Sequence, residues 1–189
     1  PMNLQLSYWL DDDNIICRVD DHWDRAMDSQ NWSDRASASK IVGKPLFEFI
    51  CDDVTRMYVA TMIESVRVIP HTSFRPYRCD TPDMKRFMQM IITPEENGWI
   101  RVSHVLIRTE PLKKPVTFTT TSPISPLRQL RNNQTINYVR CSICNRLQQY
   151  GNWDNSWHEA DSFVVLGHAS VKPLKVLHSV CSDCLHELR

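Results

Sequence analysis

Leu4, Leu6, Tyr8 and Leu10 alternate with Gln5, Ser7 and Trp9. Successive side chains of an extended chain point to opposite faces, so this period of two predicts a strand. The polar run Asp11-Asp12-Asp13-Asn14 reads as a turn, and Ile15 to Val19 as a second short strand. From Asp20 the rhythm changes, with Trp23, Ala26 and Met27 at helical spacing among polar residues. Ile41 to Ile50 is apolar but broken by Gly43 and Pro45, which predicts short helical turns. The strongest helix runs from Asp52 to Val68. Val54, Met57, Tyr58, Thr61, Met62, Ser65 and Val66 recur in steps of three and one and form a stripe facing a core. Asp52 and Asp53 at its start and Arg67 at its end match the helix dipole.

Three further strands are predicted, over Thr72–Cys79, Met84–Thr93 and Trp99–Thr109. The last two flank Pro94-Glu95-Glu96-Asn97-Gly98, and Asn-Gly supplies the left-handed conformations of a tight antiparallel hairpin. Along the first of this pair, Phe87 and Ile91 share one face, and Met88, Met90 and Ile92 the other. A strand apolar on both faces is expected to be covered on both. One cover is the helices. For the other, a set holding the methionines, a homodimer is expected, with docking of the C-terminal segment as the alternative.

The pattern then fails from Pro111 to Asn137, a stretch with four prolines, a Thr/Ser cluster and no acidic residue. Such composition predicts an extended linker. The expected organisation is a domain over 4–110, a linker over 111–137 and a small module over 138–189. With 22 basic and 22 acidic residues, the chain offers no footprint for nucleic acid. The tail from Tyr138 repeats that balance: Arg140, Arg146, Lys172, Lys175 and Arg189 against Asp154, Glu159, Asp161, Asp183 and Glu187. No apolar run approaches the roughly 20 residues that span a bilayer, so no membrane partner is expected. PMNLQLSYWL lacks a basic-then-apolar signal pattern, and a cytoplasmic location is the expectation.

Seven cysteines occur. Cys17, Cys51 and Cys79 stand singly and read as small buried hydrophobes. Cys141 and Cys144, and then Cys181 and Cys184, form two Cys-x2-Cys pairs separated by 36 residues. Each pair can reach one ion from a single turn, and two pairs complete a tetrahedral sulfur site, so these four are the expected ligands of a structural zinc. Closing the intervening loop costs on the order of 3 kcal/mol, against ~10–16 kcal/mol from a structural zinc site. The module needs that help, because 52 residues make a thin core even with Trp153, Trp157, Val164, Val165, Leu166, Val176 and Leu177 packed beside the metal. A pair of redox disulfides and an iron–sulfur cluster are the alternatives. Covalent haem is excluded, since Asn145 and Leu185, not histidine, follow the pairs. His178 and His186 lie beside the second pair and are read as neighbours of the site or exposed side chains, with substitution for a cysteine ligand as the alternative.

No Ser/His/Asp or His-Glu-x-x-His grouping appears, and no phosphate-cradling loop in a chain with 4 glycines. No catalytic residue is expected. Arg78, Asp80, Asp83 and Arg86 are read as a salt-bridged turn.

The order of elements and the local wording resemble a bacterial group of short PAS-domain proteins. The phrases are Tyr8-Trp9-Leu10-Asp11, Asp20-Asp21-His22-Trp23-Asp24, Ile41-Val42-Gly43-Lys44-Pro45-Leu46-Phe47 and Arg78-Cys79-Asp80-Thr81-Pro82-Asp83-Met84-Lys85-Arg86-Phe87-Met88. They cover roughly residues 6 to 110. The tail is similar to the cysteine module following such domains: Cys141, Cys144, Trp153 and His178-Ser179-Val180-Cys181-Ser182-Asp183-Cys184-Leu185. The resemblance implies an α+β fold with a PAS-like five-stranded antiparallel sheet, flanking helices and a zinc-ribbon-like C-terminal module. It further implies a non-catalytic signal-sensing or regulatory role, through a small ligand of unidentified chemistry in the PAS core, protein–protein contacts, or both. The alternative is a thiol-redox switch or oxidoreductase using the two Cys-x2-Cys pairs.

Overall fold

In a computed structural model describing residues 5–29, 32–50, 52–120, 138–149, 151, 156–165 and 173–187, the opening alternation becomes strand β1 (Gln5–Leu10). It pairs antiparallel with β2 (Ile16–Val19), Tyr8 opposite Val19, with a register shift at Trp9/Leu10. The turn between them is held by Asp11, whose Oδ1 accepts the N–H groups of Asp13 (3.0 Å) and Ile15 (2.8 Å). With β3 (Ser73–Arg78), β4 (Met84–Pro94) and β5 (Ile100–Pro111), these strands form a five-stranded antiparallel sheet of order β2-β1-β5-β4-β3. Between β2 and β3 come α1 (Trp23–Ser29), α2 (Ser33–Ala36), α3 (Ala38–Ile41), a 3-10 turn at Leu46–Phe49 and α4 (Asp53–Val68).

The chain divides into two interleaved units. The first comprises Pro1–Ile50, Arg56–Pro76 and Met88–Ile107; the second comprises Cys51–Thr55, Tyr77–Phe87 and Arg108–Arg189. The division runs through β3, β4 and β5 rather than along a linker.

In the first unit, Leu6, Tyr8 and Leu10 lie opposite His104, Val102 and Ile100 across the β1/β5 ladder. Trp23 of α1 meets the Tyr8 ring edge-on at 6.1 Å, so this is the helix-covered face. Trp23 Nε1 donates to Ala36 O at 2.7 Å, satisfying the polar end of a buried indole. On α4 the buried stripe is Tyr58, Met62, Ile63 and Val66. It is rotated from the sequence expectation: Met57 is 61% exposed, and Ile63 takes the flank instead. Apolar residues occur on more than one side of α4, and periodicity alone cannot choose among them.

The face assignment of β4 is also corrected. Met88, Met90 and Ile92, expected on the side awaiting a partner, are buried to 6%, 8% and 0% exposure. Phe87 and Ile91 are the half-buried ones. Alternation fixes which residues share a face, but not which face meets the core. In the second unit, Arg108 lies over the Phe87 ring at 3.5 Å, covering an aromatic surface with a cation. The hairpin before β5 is as expected, with Asn97 at φ 61° and Gly98 at φ 78°.

The second unit holds β6 (Phe118–Thr120), β7 (Tyr138–Cys141), β8 (Leu147–Gln149) and β9 (Leu174–Ser179) in the order β6-β9-β7-β8. β9 runs parallel to β6 and β7, and β8 antiparallel to β7. Helices α5 (Ala160–Val165) and α6 (Ser182–His186) complete it. Its core is Val116, Tyr138, Leu147, Ala160, Phe163, Leu174 and Val176, with Phe118 packed against it. Trp157 is half-buried; Trp153, Leu166 and the side chains of Val164 and Val165 lie outside the described residues.

The start of the expected linker is thus a packed part of this unit. Leu112 N–H donates to Asp83 O and Val116 N–H to Pro82 O, both at 2.8 Å, and Thr117 O accepts from Leu174. A module too small to make its own core recruits apolar residues from upstream, and Val116 and Phe118 supply them. Residues 121–137 lie outside the described ones.

Candidate metal centre

β7 ends at Cys141 and β8 begins at Leu147, and the turn between them carries the first cysteine pair. Cys141 N–H donates to Arg146 O (2.9 Å) and Asn145 N–H to Cys141 O (3.0 Å). Asn145 sits at φ 59°, a left-handed position that asparagine tolerates. The second pair lies where β9 gives way to α6: Cys181 is the N-cap residue and Cys184 lies on the single helical turn that follows. Parallel pairing of β7 with β9 puts Cys141 opposite Ser179, and Ser142 N–H donates to Ser179 O at 2.8 Å. Two segments far apart in sequence are thereby held in register.

The four Sγ atoms all lie within 4.8 Å of one another. Cys141 and Cys184 sulfurs are 3.9 Å apart, and those of Cys144 and Cys181 are 3.7 Å apart. Four sulfurs bound tetrahedrally at 2.3 Å from one ion would be about 3.8 Å apart. A disulfide would bring a pair to about 2.05 Å. A cluster of several irons needs a wider cage than these separations give. The donor set therefore fits a single thiophilic ion, zinc being the leading candidate. His178 and His186 stand outside the cluster, and all four expected cysteines are inside it.

Electrostatics show what the cage demands. Hydrogen bonds from the Cys141 and Cys184 thiols, joined by the Arg146 guanidinium, hold the Cys144 pKa far below its usual value. That thiolate in turn pushes Cys141 up to about 11. Cys184 is raised as well, by Cys141 first and then Cys144. Among Cys141, Cys144 and Cys184, a thiolate at Cys144 disfavours ionisation of the other two. A divalent ion removes this conflict, because it binds all four as thiolates.

Arg146 is the outer partner that sequence reasoning missed. Its Nε donates to Cys144 Sγ at 3.2 Å, and its Nη2 to Cys181 Sγ at 3.5 Å and Asp183 Oδ2 at 2.8 Å. Its position two residues after Cys144 could have suggested the contact, but only the left-handed turn at Asn145 folds it back.

Of the expected salt-bridged turn, the Arg78–Asp80 ion pair is present, and it extends to residues outside the turn. Arg78 donates through Nε to Asp80 Oδ1 (3.1 Å) and through Nη2 to Asp80 Oδ2 (2.5 Å). Its Nη1 reaches both oxygens of Glu159, at 2.9 and 2.7 Å. Lys85 adds ion pairs to Glu159 (3.1 Å) and Asp161 (3.7 Å). Burial alone would lower the Arg78 pKa; the bonds to Asp80 and Glu159 outweigh it and raise the value. Arg86 contributes its N–H to Asp80 Oδ1, while Asp83 accepts from the Thr81 hydroxyl. The Arg78 backbone grips the first cysteine turn, donating to Ile143 O at 2.7 Å and accepting from Asn145 Nδ2 at 3.1 Å.

Asp52, Ser142 and His178 also converge. Ser142 Oγ donates to Asp52 Oδ2 at 3.2 Å and lies 3.5 Å from His178 Nδ1. A nucleophilic triad places histidine between serine and carboxylate, whereas here the serine stands between the other two. Asp52 also caps α4, its Oδ1 accepting the Thr55 N–H at 2.8 Å. Of the single cysteines, Cys17 donates to Ile15 O (3.4 Å), and burial raises the Cys79 thiol pKa. Cys51 lies outside the described residues. No helix among the described residues is long and apolar enough to cross a membrane.

In comparisons with known proteins, no protein-family pattern and no curated protein matches this chain.

Proposed function

We propose that this protein is a non-catalytic sensory or regulatory protein whose second unit is built around a structural zinc held by Cys141, Cys144, Cys181 and Cys184. The observation carrying the metal assignment is the set of four sulfurs within 4.8 Å, with two edges of 3.9 and 3.7 Å. With four sulfurs on one tetrahedral ion, no coordination position remains for a reacting water, so the metal's role is to cross-link. Two strands, short helices, a longer helix and three antiparallel strands support the PAS-like reading of the first unit. Under that reading the output is contact with a partner protein or a second copy.

The deciding experiment is elemental analysis together with the ultraviolet–visible spectrum of the purified chain. One zinc per chain and no absorbance near 400 nm is the expected result. Iron with a visible band would replace zinc by an iron centre, and metal-free protein with disulfides would favour a redox pair.

A further inference from the structure

The four sulfurs of the cage are not equally protected. Cys141 Sγ accepts the N–H groups of Cys144 (3.5 Å) and Cys181 (3.4 Å). Cys144 Sγ accepts from Arg146 Nε, and Cys181 Sγ from Arg146 Nη2. Among the described residues no N–H donor reaches Cys184 Sγ, which lies 3.9 Å from the Cys141 sulfur and within 4.8 Å of the other two, so its neighbours in the cage are sulfurs alone. An N–H pointed at a thiolate stabilises its charge and lowers its reactivity toward an electrophile, because that stabilisation is lost as the sulfur lone pair is used.

Access narrows the choice to two. Cys141 and Cys181 are fully enclosed, while Cys144 is half-buried and Cys184 is 5% exposed. Access alone favours Cys144, but the Arg146 guanidinium is bonded directly to its sulfur. Cys184 lies on α6, a five-residue helix whose flanking Ser182, Asp183, Leu185 and His186 are exposed. One helical turn opens at small cost and can present the sulfur briefly.

We propose that Cys184 is the modification site of the metal centre, the thiolate at which a soft electrophile first reacts and opens the cage. With a haloacetamide, the Cys184 sulfur lone pair forms the new S–C bond and the halide leaves with the carbon–halogen pair. The product is a neutral thioether and a poorer ligand, so one corner of the cage is lost. This inference rests on the thiolate–metal reading above.

The test uses the zinc-loaded full chain, substoichiometric iodoacetamide, peptide mass mapping over time, and a chromogenic chelator to follow released zinc. Cys184 is expected to be alkylated on the order of tenfold faster than Cys144, the factor a charge-assisted hydrogen bond supplies. Zinc release should follow Cys184 modification. Arg146→Met should raise the rates at Cys144 and Cys181 by a similar factor and leave Cys184 unchanged. Zinc-loaded protein alkylated first at Cys144 overturns the inference alone, and that wild-type order decides even if the variant fails to fold. A chain that purifies without metal, seen before any alkylation, overturns the underlying reading and this inference with it.

Discussion

Among the described residues, the fully buried large side chains of the first unit are Leu10, Met62, Ile63, Val66, Ile92, Ile100 and Val102; those of the second are Leu147, Val176 and two cage cysteines, Cys141 and Cys181. The first is ordered by a sheet face and a helix stripe that remove hydrocarbon from water, each such side chain contributing ~1.5–3 kcal/mol. The second has a seven-residue apolar cluster, a sulfur cage and a buried ion-pair knot in which the Arg78 and Asp80 side chains are 7% and 5% exposed. Where apolar area is short, polar devices take over, and each demands complete satisfaction. Loss of one methyl group weakens a hydrophobic core, whereas loss of one ligand or one charge partner strands all the others.

The largest effect follows from the cage. Cys181→Ser should abolish zinc binding and remove most of the ~10–16 kcal/mol a structural zinc site contributes, more than an ordinary domain's whole margin. Residues 138–187 should become protease-sensitive while the first unit keeps its protection. Elemental analysis and mapping of cleavage sites measure both, and full zinc retention would sink the four-thiolate assignment.

Next in size is the ion-pair knot. Arg78→Met leaves the Asp80 carboxylate buried without its bidentate partner and should cost ~3–5 kcal/mol in the second unit. Glu159 is 37% exposed and retains Lys85, so the lower end of that range applies. A double variant, Arg78→Met with Asp80→Leu, should recover part of the loss, since no charge is then stranded. Urea unfolding followed by a second-unit probe gives the values. A loss below ~1 kcal/mol, the worth of an exposed pair, would mean the knot is hydrated.

The same contrast explains what could be read from the sequence. All five strands of the first sheet and helix α4 were visible within a residue or two, because alternation and helical spacing are local signals. The four clustered cysteines were equally visible, since Cys-x2-Cys spacing encodes its own geometry. The inner side of β4 was not visible: Met88, Met90 and Ile92 and the Phe87/Ile91 pair satisfy the same period. The recruitment of Val116 and Phe118 was hidden too, because a proline-rich stretch carries no period to show that it packs. Nor could spacing show that Arg78 meets Glu159, 81 residues away in sequence.

A third prediction separates the units by pH. In the first unit His104 stacks on Tyr8 at 5.6 Å, and burial lowers its pKa from 6.5 to about 4. The folded state then holds a neutral imidazole while the unfolded chain takes up a proton below about pH 6.5. Stability from this group is full above pH 6.5 and is lost as pH falls toward 4, by up to about 3 kcal/mol. Hydrogen exchange of β1 and β5 amides between pH 7 and 4.5 reads this loss apart from any acid effect on the cysteine cluster of the second unit. His104→Leu should flatten the profile; an unchanged slope would place the acid sensitivity elsewhere.

The smallest effect compares one backbone position in each unit. Gly98 and Gly151 both sit at φ 78°, where an L side chain is disfavoured. A Cβ at Gly98 would come within 2.6 Å of Asp12 Oδ1, whereas among the described residues nothing lies within 4 Å of a Cβ at Gly151. The clash is cheap to relieve, because the Asp12 side chain is 80% exposed and its 3.4 Å contact with Arg67 is a weak surface pair. Arg67 keeps stronger bonds to Gly98 O (2.8 Å), Asp11 O (2.6 Å) and Asn14 Oδ1 (3.0 Å). Both Gly98→Ala and Gly151→Ala should therefore cost ~1–2 kcal/mol, the backbone penalty alone. Chemical denaturation of the two variants measures the difference. A markedly larger cost at Gly98 would show that Asp12 is held by Arg67, and that the turns of the first unit depend on a polar clamp much as the second unit does.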